Sequence, residues 1–203
     1  MTKDDLLMDK DFDDTDAFPG PEDKLFEVNK HGHGAESSTK EDWYHLINDY
    51  KDAADSLVAH AIETRGDLRK LGNPILFLYR HHLELALKDL IQDCLSLLGR
   101  EEVFPKTHRI DMLWQTCCGL LDEISPGLRC SEEVRNTTRL MLDFQKVDPT
   151  SEAFRYPEDR QGNRPLSDKA TFYLEAVREV VGKISCLLEC ISEDISAQEK
   201  HYF

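Results

Sequence analysis

Five polar side chains interrupt an apolar run in this chain: Arg80, His81, His82, Glu84 and Lys88 sit within NPILFLYRHHLELALK, residues 73–88. At about 100° per residue, Arg80, Glu84 and Lys88 fall on one side of a helix. They are interleaved there with Phe77, Leu87, Ile91 and Leu95 instead of lying opposite them. Charge in an apolar setting is costly, so it persists where it is paired or where a site uses it. Arg80 to Glu84 and Glu84 to Lys88 are also i,i+4 pairs, so a structural ladder worth about 0.3–0.5 kcal/mol per exposed pair is the simpler explanation. Arg80, Glu84 and Lys88 are candidate ligand-binding residues, and Arg80 and His81 are candidate catalytic ones. His81 and His82 point about 100° apart on a helix and cannot share a metal ion.

Two further clusters carry the right chemistry. Lys106-Thr107-His108-Arg109 precedes a helical pattern, where a Thr or His is commonly a cap and Asp111 offers another. Asp148-Pro149-Thr150-Ser151-Glu152-Ala153-Phe154-Arg155-Tyr156-Pro157 combines a carboxylate, hydroxyls, an arginine and aromatics in a loop, a mix suited to holding a polar ligand or phosphate. The candidates there are His108 and Arg155 for catalysis, and His108, Asp148, Ser151, Arg155 and Tyr156 for binding. The structural alternative buries Phe154 and Tyr156 and pairs Arg155 with Glu84 or Glu152. The chain has no G-x-x-x-x-G-K-S/T loop, G-x-G-x-x-G, H-E-x-x-H or G-x-S-x-G.

The elements that must position these residues are helical. A period of 3.6 begins after Glu41 with Trp43, Leu46, Ile47, Tyr50, Ala54, Leu57, Val58 and Ala61. Gly66 and Gly72 bracket a break, and Asn73-Pro74 supplies a cap and a first-turn proline for a second helix ending at Gly99. A third runs through Met112, Leu113, Cys117, Leu120 and Leu121 to Ser125-Pro126-Gly127. A fourth starts at Ser131-Glu132-Glu133 and carries Val134, Thr138, Met141, Leu142 and Phe144 on its apolar side. Residues 148–165 read as an ordered loop or small hairpin turning at Gln161-Gly162-Asn163. Ser167-Asp168 then caps a last long helix with a seam of Tyr173, Val177, Val180, Ile184, Leu187, Ile191 and Ile195, which could close the bundle or pair two subunits. The expected fold is all-α, an antiparallel bundle of about four to five helices.

Composition narrows the function classes. A chain of 203 residues with 40% hydrophobic content supports one ordinary core. Its formal charge of −15 opposes general binding to phosphate backbones. Residues 1–40 carry eleven acids against five lysines with no sustained period, and read as an acidic, flexible arm ahead of a helical domain at 41–203. No apolar run is long enough to span a bilayer and the N-terminus lacks a signal-like apolar segment, so a cytoplasmic protein without membrane contact is expected. Cys94, Cys117, Cys118, Cys130, Cys186 and Cys190 form no C-x-x-C pair and read as buried free thiols. His31 and His33 lack the further ligands of a closed metal site. No metal or other cofactor is expected.

The helix carrying Tyr79-Arg80-His81-x-Leu83-Glu84-Leu85-x-Leu87-Lys88, the Thr107-His108 to Leu113-Trp114 segment and the Phe154-Arg155-Tyr156-Pro157 loop together resemble the HEPN superfamily over roughly residues 41–197. The resemblance implies a bundle that often dimerises, a polar pocket between helices or at the dimer face, and a place in bacterial defence or toxin–antitoxin type systems. Catalytic members carry an Arg followed four to six residues later by His, and no arginine here has that partner. The leading expectation is therefore an atypical HEPN-like domain that binds a nucleotide, RNA or a partner protein in an accessory or regulatory role. The alternatives are a metal-independent ribonuclease with a rearranged centre built from Arg80, His81, His108 and Arg155, and an acidic interaction protein for a basic partner subunit.

Overall fold

A computed structural model describes residues 43–64, 68–101, 103–128, 131–158, 162 and 171–202. Five helices account for most of them: α1 Trp43–Glu63, α2 Leu68–Leu97, α3 Ile110–Ile124, α4 Glu132–Val147 and α5 Leu174–Tyr202. No strand occurs among the described residues, so the fold is an all-α helical bundle. Residues 1–40, Cys130, Gln161, Asn163, Ser167 and Asp168 lie outside the described residues. The described part of the segment before α5 is turns and bends.

α2 is the central element, packed against α1, α3 and α5, with α4 reached through α3. A helix enclosed on three sides cannot keep a wet face over its middle turns. Leu83, Leu85, Leu87 and Leu90 point in different directions and are all buried. Arg80, His82, Glu84 and Lys88 are buried with them for the same reason. α2 stops at Gly99, whose φ of 63° is left-handed. Arg100 N–H reaches Leu95 O at 2.9 Å and Gly99 N–H reaches Ser96 O at 2.8 Å, the paired bonds of a glycine-terminated helix. Polar links fix its neighbours: Tyr79 donates to Asp55 Oδ1 of α1 at 2.6 Å, and Ser192 of α5 donates to Asp93 Oδ2 at 2.6 Å. Trp114 Nε1 donates to Thr138 Oγ1 at 2.8 Å, tying α3 to α4.

Several expected details are corrected. α2 begins at Leu68 and runs through Asn73-Pro74, so Asn73 is not its cap. Leu71 packs on the core with Ile75 and Leu76, and the single bond that proline cannot donate is lost near the helix end. Ser131 does cap α4, accepting from Val134 N–H at 3.2 Å. At α3 the N-cap is Arg109, whose side chain makes no capping bond and instead pairs with Asp111, while Thr107 Oγ1 accepts Arg109 N–H from outside the helix. Tyr173 and Leu142 are exposed, because the buried stripe of α5 runs through Leu174, Val181, Ile184, Leu188, Ile191 and Ile195, and that of α4 through Val134, Thr137 and Met141. Cys94, Cys117 and Cys118 are buried, but Cys186 and Cys190 are exposed. Two residues past Ile184 is about 200° around the cylinder, which puts Cys186 on the far side from the core.

Replacing Leu87 by Ala should cost about 2–5 kcal/mol in urea unfolding, whereas Leu142→Ala should stay within about 0.5 kcal/mol of wild type.

Candidate functional site

The charged arc on α2 closes on itself through a carboxylate from the loop after α4. Glu84 Oε1 accepts Lys88 Nζ at 2.9 Å and lies 2.8 Å from His108 Nδ1, while Glu84 Oε2 accepts Arg80 Nη1 at 3.2 Å. Arg80 Nη2 donates to the His108 carbonyl at 2.7 Å. Its Nε lies 3.0 Å from Asp148 Oδ2 with the N–H turned off the line, so that contact is an ion pair without a hydrogen bond. The Asp148 Oδ1 atom accepts Glu152 N–H at 2.8 Å and Ala153 N–H at 3.0 Å, which fixes the first turn of the loop. The side chains of Arg80, Glu84 and Asp148 are at most 2% exposed and that of Lys88 is 6% exposed.

Two cations, Arg80 and Lys88, therefore face two anions, Glu84 and Asp148, in a nearly dry setting. Burial alone would raise the Glu84 pKa, but hydrogen bonds from Lys88 and His108 outweigh it and hold the carboxyl below its usual 4.5. Burial pulls the Arg80 guanidinium below its usual value, against the opposing pull of Asp148 and then Glu84. A neutral, mutually bonded group of this kind adds little net stability over apolar packing, yet removal of one member leaves an unpaired buried charge. Arg80 and Lys88 are thereby committed to the fold, and the geometry does not offer them as free phosphate ligands.

The network has a wet edge. His108 is held by Glu84 through Nδ1, and its side chain is 68% exposed, which turns Nε2 toward solvent. Arg155 is exposed; its Nε donates to the Ser151 carbonyl at 2.7 Å. Its guanidinium carbon lies 5.9 Å from the Phe77 ring centroid and 5.5 Å from that of Tyr156, within cation–π range. Tyr156 is exposed and not in the core, whereas Phe154 is buried. Arg155 thus pairs with neither group expected of it by the structural alternative through Nε; Arg80 takes Glu84 instead. Ser151 is buried at φ 66°, a left-handed turn position, so it shapes the loop and its side chain does not reach a surface ligand. His81 sits beside the ion network without an ion pair to it, its ring 4.4 Å from Tyr50 and 5.8 Å from Phe77, and burial lowers its basicity against the pull of Glu84. Phe104, which lies under Lys88 at 5.1 Å, belongs to this edge and has no motif around it in the sequence.

A second polar region went unread in the sequence. His82 lies between α1 and α5, with Nδ1 2.9 Å from the Ile47 carbonyl and Nε2 2.7 Å from Ser185 Oγ. A carbonyl can only accept, so Nδ1 carries the proton. Burial lowers the ring's basicity, with the Ile47 bond opposing, so Nε2 of the neutral ring is an acceptor; the single Ser185 hydroxyl proton has two acceptors in reach, this nitrogen at 2.7 Å and the Val181 carbonyl at 2.9 Å. The nearby Asp89 carboxyl is pushed up to about 7 by burial and by Asp93. The only advance signal was serine at 185, 192 and 196, one helical stripe of α5 that also carries Glu189. Among the described residues no group of three or more His, Cys, Asp or Glu side chains is arranged to hold a metal ion, and no helix is long and apolar enough to cross a membrane.

Arg80→Ala and Glu84→Ala should each lower unfolding free energy by about 3–5 kcal/mol, and the double variant should cost less than their sum, because each leaves the other's partner stranded. A depressed carboxyl stabilises the fold above its unfolded pKa and loses that contribution as pH falls through its folded pKa. Acid titration of stability should therefore show a decline on going below 4.5 that is flatter in Glu84→Gln.

Comparison with family models, with curated proteins and with solved structures finds no match.

Proposed function

We propose that this chain is an atypical HEPN-like binding module that holds a nucleotide or the phosphate of a short RNA at the face of His108, Arg155 and Tyr156, in an accessory or regulatory role within a bacterial defence or toxin–antitoxin type system. The observation that carries the reading is an exposed Arg155 laid against two aromatic rings. A guanidinium seated on a ring is preorganised for bidentate phosphate contact, and an exposed tyrosine beside it offers a stacking surface for a base. His108 adds a donor from the neighbouring segment, and the buried network fixes both segments to α2. The formal charge of −15 disfavours long nucleic acid, so the fitting ligand is short.

AMP and a short single-stranded oligoribonucleotide with a terminal phosphate are the probes. Arg155→Ala should weaken their binding about tenfold or more without lowering the thermal midpoint, because the side chain is exposed. Arg155→Lys should recover only part of it, since an ammonium neither forks nor stacks alike. Binding that is absent in wild type, or indifferent to Arg155→Ala, contradicts the proposal.

One observation favours a second reading. A buried carboxylate orients His108 through Nδ1 and leaves Nε2 open, the arrangement of an activated acid–base histidine. On that reading the chain is a metal-independent ribonuclease centred on His108 and Arg155. RNA cleavage by the wild type in a chelator, lost in folded His108→Ala, would select it over the binding module.

A further inference from the structure

On another part of the bundle, α1, α2 and α5 line a half-open cavity of about 530 Å³. Its volume lies within the usual range for small-molecule sites, roughly 300–1,000 Å³. Each helix contributes one stripe at helical spacing: Tyr44 and Asn48 from α1, His82 and Asp89 from α2, and the run Ser185, Glu189, Ser192 and Ser196 from α5. Ile47, Leu90 and Leu188 add apolar wall between them. The back of the cavity is rigid, because His82 and Ser185 are each more than nine-tenths buried and bonded to each other.

The Ser185–His82–Ile47 carbonyl chain has the hydrogen bonds of a nucleophile, its base and an orienting group. The walls argue against that chemistry. An acyl-transfer site needs donors aimed at a developing oxyanion. Ser185 sits inside a helix whose N–H groups are consumed within it, and the lining residues include no Lys or Arg. They include three carboxylic acids instead: Asp89, Glu189 and Glu193. An oxyanion would be repelled there.

What the cavity offers is acceptors. The His82 ring nitrogens are committed to Ile47 and Ser185, and the Ser192 hydroxyl is donated to Asp93. The three acids make no ion pair with a described Lys or Arg. Asp89 is half-buried beside Asp93, and burial, then the Asp93 charge, push its carboxyl up to about 7. A ligand that fits must bring both positive charge and N–H donors, together with hydrocarbon to lie along Leu90 and Leu188. We propose that this cavity is a binding site for a small aliphatic diamine in its ammonium form, with Asp89 and Glu193 taking the charged ends and the leucine wall taking the methylene chain.

Calorimetric titration of the full chain with putrescine at slightly alkaline pH tests this, with magnesium chloride of equal ionic strength and n-butanol as controls. Saturable one-site binding is expected. It should weaken about tenfold or more in Asp89→Asn and in Glu193→Gln, and stay unchanged in Glu175→Gln, an exposed acid on the same helix outside the cavity. Because Asp89 forms no ion pair among the described residues and lies beside Asp93, its amide variant should fold at least as stably as wild type, which circular dichroism checks. No saturable heat, heat removed equally by magnesium chloride, or equal losses in all three variants would each overturn the proposal, the last two by reducing the effect to bulk charge.

Discussion

The Glu84 carboxylate sits at the centre of a helix that is enclosed on three sides, and it stays ionised there by gathering Lys88, Arg80 and His108 around its two oxygens. An isolated carboxylate moved into such a setting would cost several kcal/mol even after relaxation, so the surrounding donors are a condition of the fold. Arg80 then needs a second anion, which Asp148 provides from a segment 68 positions later, and Asp148 in turn caps the turn that carries Arg155 and Tyr156. Satisfying one buried charge thus determines the path of two segments with no regular structure, 103–109 and 148–158.

That constraint separates residues by role more sharply than their chemistry does. Arg80 and Arg155 are the same residue type and lie near enough to repel one another, as the weak opposing effect of Arg155 on Arg80 records. One is sealed between carboxylates, and the other rests on rings at the surface. His108 bridges the two situations, with one nitrogen on the network and the rest of its ring in solvent. A ligand arriving at this face meets groups already held in place, so little ordering cost falls on binding. The cavity on the α1–α2–α5 side follows the opposite logic. Its histidine is satisfied, and its carboxyl groups form no ion pair among the described residues, which leaves that region open to a cation.

Much of the architecture was legible from hydrophobic period alone, because five long amphipathic stretches separated by Gly and Pro leave few alternatives to a helical bundle. The buried arc of Arg80, Glu84 and Lys88 was legible too, since its interleaving with Leu87 and Ile91 contradicted any solvent-facing arrangement. Its partner was harder to assign. Asp148 and Glu152 are both acids in one loop, and only the three-dimensional path of that loop decides that Asp148 faces Arg80. Periodicity also misplaced the start of α2, because tertiary packing of Leu71 carried the helix past a proline that local rules treat as a beginning. The exposed Cys186 and Cys190 show a related effect: a helix with apolar residues on more than one side does not reveal which side its neighbours will cover.

The buried ion network holds the loop bearing Arg155 in place. Amide hydrogen exchange at Glu152 and Ala153, whose N–H groups end on Asp148, reads that hold directly in wild type and in a folded Arg80→Met variant. Loss of protection at those two amides, with the amides of α5 unchanged, is the predicted result. Equal protection in both proteins would mean that the loop stands without the network, and would contradict that hold.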